Sequence, residues 1–135
     1  MQLYTFDFIL FMKIRIKGNS IRVRLSRTEV DNFGKNGYLE EHTEFGASSF
    51  TYALQNVESG DTMSATFADG KITMNVPATI TREWTTTEKV GFENNMDIGN
   101  GKQLYLLLEK DFKCIDAPAT EDQSDNYEHP NITCN

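Results

Sequence analysis

Residues 13 to 25 read KIRIKGNSIRVRL, with five cations, no acid, and every charge beside an aliphatic residue. Successive side chains of a strand point to opposite faces. Ile14 and Ile16 therefore share one face, and Lys13, Arg15 and Lys17 the other. Gly18-Asn19 supplies two residues that tolerate positive φ, as a two-residue hairpin turn requires. That turn sets the register: Lys17 faces Ser20, Ile16 faces Ile21, Arg15 faces Arg22, Ile14 faces Val23 and Lys13 faces Arg24. Aliphatic meets aliphatic and cation meets cation. Directly opposed like charges destabilise a ribbon by roughly 0.2 to 1 kcal/mol per pair, so the hairpin predicts an anion close by. Lys13, Arg15, Arg22 and Arg24 are accordingly the candidate ligand-binding residues.

Three sources of that anion present themselves. In YLEEHTEF, residues 38 to 45, a strand would place Glu40, His42 and Glu44 on one face, and pairing beside the hairpin would answer its charge. Beyond Lys113, the acids Asp116, Glu121, Asp122, Asp125 and Glu128 meet no Lys or Arg. The third source is external, such as nucleic acid phosphate or an anionic metabolite; the partner expected is another protein or a small anionic ligand. A chain of 135 residues and net charge -7 is a poor ligand for extended nucleic acid, because non-specific affinity rests on many cations releasing counterions.

Working outward, the remaining elements follow from punctuation and period. LSRTEVDNFGKNG opens with Ser26 three residues before Glu29, a capping box, and ends among glycines suited to stopping a helix. After the strand at 38 to 45, FTYALQNV and TMSATF read as strands separated by the loop ESGD. Asp69-Gly70 is a second hairpin turn that sets Phe67 opposite Ile72, Ala65 opposite Met74 and Met63 opposite Val76 on one apolar face. Pro77 opens a short helix through Trp84, with Ile80 and Trp84 stacked four apart. Gly99-Asn100-Gly101 breaks the chain, and QLYLLLEKDF reads as a central last strand.

The length is that of one ordinary domain, and the composition, 39% hydrophobic and 24% charged, is that of a soluble globular protein. No repeat of 20 to 50 residues and no low-complexity tract is evident. Short local connections favour an α+β fold over a doubly wound one. The expectation is a single domain, a mainly antiparallel sheet with two short helices, over residues 12–113. An N-terminal extension would occupy 1–11, and an irregular acidic tail packed on the domain would occupy 114–135. The opening MQLYTFDFILFM carries Asp7, lacks a positive leading region and a small-residue cleavage site, and falls short of the 20 or so apolar residues of a membrane span. The reading is cytoplasmic, with no membrane partner.

The hairpin with its capped helix, the stretch WTTTEKVGF and LLLEKDFKC with a later cysteine together resemble a small bacterial protein family of unknown function, from Met12 onward. The resemblance implies a bacterial cytosolic setting and transfers no catalytic residue.

Chemistry has one specific candidate, the tail residues Cys114, His129 and Cys134. Thiolate and imidazole are ligands zinc prefers, and a tetrahedral site needs a fourth, for which Asp116, Asp125 or His42 is available. The spacing is not the paired C-x2-C pattern, and a Cys114–Cys134 disulfide is the other cross-link the residues allow. GASSF at 46 to 50 is not a nucleophile elbow, and no phosphate-binding glycine loop occurs. His42 between Glu40 and Glu44 would be an acid/base group or a surface histidine beside its glutamates. Two functions follow: a binding module for a protein or a small anionic ligand through the basic hairpin face, or a small metalloprotein or enzyme built on Cys114, His129 and Cys134.

Overall fold

The computed structural model describes residues 12–113 and 123–128. The alternation at residues 13 to 25 yields strands β1 (Lys13–Ile16) and β2 (Ser20–Leu25), paired with Ile16 opposite Ile21, Arg15 opposite Arg22, Ile14 opposite Val23 and Lys13 opposite Arg24. Gly18 adopts φ +53° in the turn, where a glycine avoids the Cβ penalty. Helix α1 (Arg27–Asn36) follows, then β3 (Tyr38–Glu44), β4 (Ser49–Val57), β5 (Ser64–Ala68), β6 (Lys71–Pro77), α2 (Ala78–Thr86), β7 (Gly91–Gly99) and β8 (Lys102–Lys110). The fold is α+β and mainly antiparallel. Two differences from the sequence reading stand out. Pro77 ends β6 and serves as the residue before α2. Strand β7, whose GFENNMDIG lacks an apolar alternation strong enough to announce it, pairs along β8.

The strands form two four-stranded sheets, ordered β1-β2-β8-β7 and β3-β4-β6-β5. In each, the two central strands run parallel and both outer pairings are antiparallel. This arrangement is one ββαββ unit used twice. Replacing β1, β2, β8 and β7 by β5, β6, β4 and β3 converts the first sheet into the second, so each half of the chain contributes one hairpin to each sheet. The core repeats with it. Met12, Ile21, Val23, Leu25 and Phe33 recur at one constant spacing as Met63, Ile72, Met74, Val76 and Trp84, and all ten are buried. The unit is slightly longer than the 20 to 50 residues over which repetition is commonly sought, and it repeats pattern rather than identity.

The helices meet where the halves meet. Phe33 and Trp84, equivalent residues, pack edge to face with ring centroids 6.4 Å apart. Equivalent residues touch again at Gly34 and Thr85, where a Cβ on Gly34 would lie 3.1 Å from Thr85 Oγ1. Among the described residues, no helix is long and apolar enough to cross a membrane.

The repeat also identifies a misfit. Thr81 is the equivalent of Val30; it is buried, and its Oγ1 has no hydrogen-bond partner among the described residues. A buried hydroxyl without a partner carries a desolvation penalty of about 1 to 3 kcal/mol. Thr81→Val, installing the residue the first half uses, is expected to stabilise the protein by about 1 kcal/mol. Urea unfolding checks this, and a destabilised variant would contradict it.

Helix α1 begins as predicted. The Ser26 side chain accepts from Glu29 N, and the Ser26 backbone N–H donates to Glu29 Oε1 at 2.9 Å. Glu29 is nonetheless buried, and burial pushes its carboxyl up to about 7 against the pull of the Ser26 hydrogen bonds. The folded value exceeds the ordinary 4.5, so the native state holds the proton longer than the unfolded chain. The Glu29 contribution is complete below about 4.5 and is lost as pH rises through about 7. At roughly 1.4 kcal/mol per pKa unit, Glu29→Gln is expected to stabilise by roughly 2 to 3 kcal/mol at pH 8 relative to its effect at pH 5. Paired denaturation curves at the two pH values measure that difference, and equal effects at both would contradict it.

Candidate functional site

The basic face is built from the turn outward. Asn19 Nδ2 donates to Gln103 O at 2.6 Å and Tyr105 N donates to Asn19 O at 3.0 Å, so the hairpin tip is tied to β8. The register on β8 then sets Ser20 beside Tyr105, Arg22 beside Leu107 and Arg24 beside Glu109. Arg15 and Arg22, directly paired, emerge on the outer side of the sheet while Ile21, Val23 and Leu25 are buried behind it.

Among the described residues, the anion the hairpin calls for is present for only part of the charge. Lys13 Nζ lies 2.8 Å from Asp111 Oδ2, and Arg24 Nε lies 3.3 Å from Glu109 Oε1. Arg15, Lys17 and Arg22 form no ion pair with a described carboxylate. Burial, and then repulsion from Arg24 and Arg15, lowers the Arg22 guanidinium's hold on its proton. These side chains border a shallow groove of about 200 Å³ with Ser20, Tyr105 and Leu107.

Among the described residues, neither internal source expected from the sequence supplies these anions; Asp116, Glu121 and Asp122 lie outside them. Strand β3 belongs to the other sheet, where it pairs with β4 rather than with the hairpin. There Glu40 meets His42 Nε2 at 2.8 Å and Lys71 Nζ at 3.7 Å, and it accepts from the Tyr38 hydroxyl, which together with these neighbours lowers its pKa. His42 Nδ1 lies 3.0 Å from Thr51 Oγ1. In the tail, Asp125 accepts from Thr28 N at 3.1 Å and from Thr28 Oγ1 at 2.8 Å at the start of α1, and Glu128 pairs with Lys113. The groups that do reach the hairpin, Glu109 and Asp111, lie on or just after β8. Its parallel pairing with β2 could not be read from the sequence.

Of the proposed metal ligands, Cys114, His129, Cys134 and Asp116 lie outside the described residues. Among the described residues, no group of three or more His, Cys, Asp or Glu is placed to hold a metal.

Sequence reasoning passed over a second feature, a cleft of about 660 Å³ between the start of α1, the end of α2 and the chain after β8. Lys110, 5% exposed, lines it, and its Nζ donates to Thr87 O at 2.7 Å. The Lys110 ammonium lies 5.3 Å from the centre of the Tyr127 ring, and the Arg27 guanidinium lies 4.5 Å from it. The lone signal in the sequence was Lys110 at the end of a strand that is apolar on both faces from Tyr105 to Leu108.

No curated protein and no solved structure matches the chain. A model of a family of unknown function (DUF7009) matches residues 12–131, which takes in both ββαββ units and both candidate surfaces, and the chain belongs to that family.

Proposed function

We propose that this chain is a binding module that holds an acidic segment of another protein against the outer face of the first hairpin, with Arg15, Arg22 and Lys17 as the anchoring cations. One comparison inside the molecule carries the reading. The second hairpin performs the same structural task with apolar residues at the same inward positions, yet Lys13, Arg15, Lys17, Arg22 and Arg24 are replaced there by Ser64, Thr66, Ala68, Thr73 and Asn75. Its lysine, Lys71, stands at the position of Ser20 and lies by Tyr38 and Glu40. Small polar residues therefore satisfy the fold, and the cations answer another requirement. The groove is smaller than the roughly 300 to 1,000 Å³ of sites that enclose a small ligand, which favours an extended surface partner. Cations alternate along β2 at a spacing of about 7 Å, close to the repeat of alternate acidic side chains on an extended chain.

The test uses a fluorescein-labelled hexaglutamate peptide at low ionic strength. Saturable binding that weakens with salt is expected, reduced at least tenfold in the double variant Arg15→Thr/Arg22→Thr, whose threonines come from the second hairpin. Equal binding by both proteins would reject the reading. Displacement by inorganic phosphate as effective as by unlabelled peptide would replace the acidic segment with a small anion at the same cations.

A further inference from the structure

From the cleft beside Lys110, we infer a second ligand site, independent of the basic face, for a small organic acid whose carboxylate or phosphate head meets the Lys110 ammonium and the Arg27 guanidinium while its apolar body lies along Tyr127 and Phe112.

Four observations converge on it. The first is a buried charge with no counter-ion among the described residues. Lys110 is 5% exposed, and neither it nor Arg27 forms an ion pair with a described carboxylate. Buried charges are ordinarily paired, because desolvation without a partner is expensive. An ammonium has three donors; one reaches Thr87 O and closes the C-terminal end of α2, where the helix dipole favours a cation. That bond accounts for the position of Lys110 while leaving donors for a ligand. Both cations line the same cleft. Burial lowers the ammonium's pKa; exposed Glu88, short of ion-pair distance, opposes this, and Arg27 adds a smaller lowering effect.

The second observation is the repeat. The cleft lies where the second half departs from the first. Lys110 stands where the first half has Asn56, since both donate their backbone N–H to the carbonyl just before the adjoining strand, Val90 and Gly37 respectively. Helix α1 ends at Gly37, in the left-handed region at φ +74°, and passes directly into β3. Helix α2 instead ends at Thr87 in extended conformation, and a longer connection through Glu88 and Val90 forms one wall. The fold is thus completed without a buried lysine or a widened connection in one half, and it acquires both together in the other.

The third observation is chemical layout. The cationic group is the buried one, aromatic rings line the wall, and the acids Asp31, Glu88 and Glu128 are exposed at the rim. This polarity orients a ligand with its anionic head inward. The fourth is size: about 660 Å³ lies within the range of sites that enclose small ligands.

The experiment is a ¹⁵N–¹H NMR titration of the full chain with benzoate and, separately, with phenyl phosphate, to about 10 mM, where even fragment-strength binding registers. Saturable shifts are expected at Thr87, Val90, Lys110 and Tyr127 with at least one probe, and the tighter probe identifies the head group. Arg27→Ala, a change at an exposed position, should weaken that binding at least tenfold while the Arg15 and Arg22 resonances stay where they were. Absence of saturable shifts at those four residues with both probes, or undiminished binding by Arg27→Ala, would overturn the assignment. Shifts confined to Arg15, Arg22 and Tyr105 would also overturn it, without touching the basic-face reading.

Discussion

Trp84→Ala is expected to cost about 3 to 5 kcal/mol of stability, the range for removing a large aromatic from a filled core. Trp84 is fully buried, meets the edge of Phe33, and donates from Nε1 to Val90 O at 3.0 Å. Its loss leaves a cavity at the seam between the two halves and removes a hydrogen bond that fixes the connection after α2. Phe33, its equivalent, should show a loss of similar size when changed to alanine. Because the rings touch, the double variant should lose less than the two single losses added together. Denaturant unfolding with a shared slope tests this, and a Trp84→Ala loss below about 1.5 kcal/mol would remove the seam from its place in the core.

Gly91→Ala is expected to be nearly as severe, about 3 kcal/mol or more, at the upper end of overpacking effects. A Cβ on Gly91 would sit 2.2 Å from the Leu108 carbonyl oxygen, a backbone atom of the neighbouring strand that cannot turn aside. Gly91 lies opposite Glu109 at the start of β7, whereas its equivalent, Tyr38, carries a full side chain opposite Gln55. The second half therefore brings its strands together more closely where the longer connection returns to the sheet. The variant should also lower the protection of the Gly91 to Leu108 ladder in hydrogen exchange. A fully stable Gly91→Ala protein would mean that β7 starts elsewhere.

What could be read in advance is local. The hairpin at Gly18-Asn19, its register, the capping box at Ser26 and Glu29, and the pairing of Phe67 with Ile72 and Ala65 with Met74 all depend on a few consecutive residues, and all four are present. What could not be read is long-range. The parallel pairing of β2 with β8 joins residues from opposite ends of the chain, and no turn signal specifies it. The counter-ions Glu109 and Asp111 and the buried Lys110 depend on that pairing, so the cation face was visible in the sequence while its partial neutralisation was not. Strand β7 escaped notice because its inward positions include Asn94, whose amide donates to Met63 O at 2.8 Å in place of an apolar contact. The repeat was hidden for a related reason: Val23 with Met74 and Phe33 with Trp84 keep apolar character and burial but share no identity.

The central claim is that the cations of the first hairpin serve binding and are not required by the fold. Its most direct test is the unfolding free energy of Arg15→Thr/Arg22→Thr at low ionic strength, beside wild type. Relief of the opposed charges and the strand preference of threonine predict stability equal to wild type or greater by up to about 1 kcal/mol. A loss of more than about 1 kcal/mol, beyond the scatter of ordinary surface substitutions, would show that the guanidinium groups hold the sheet together and would contradict the account.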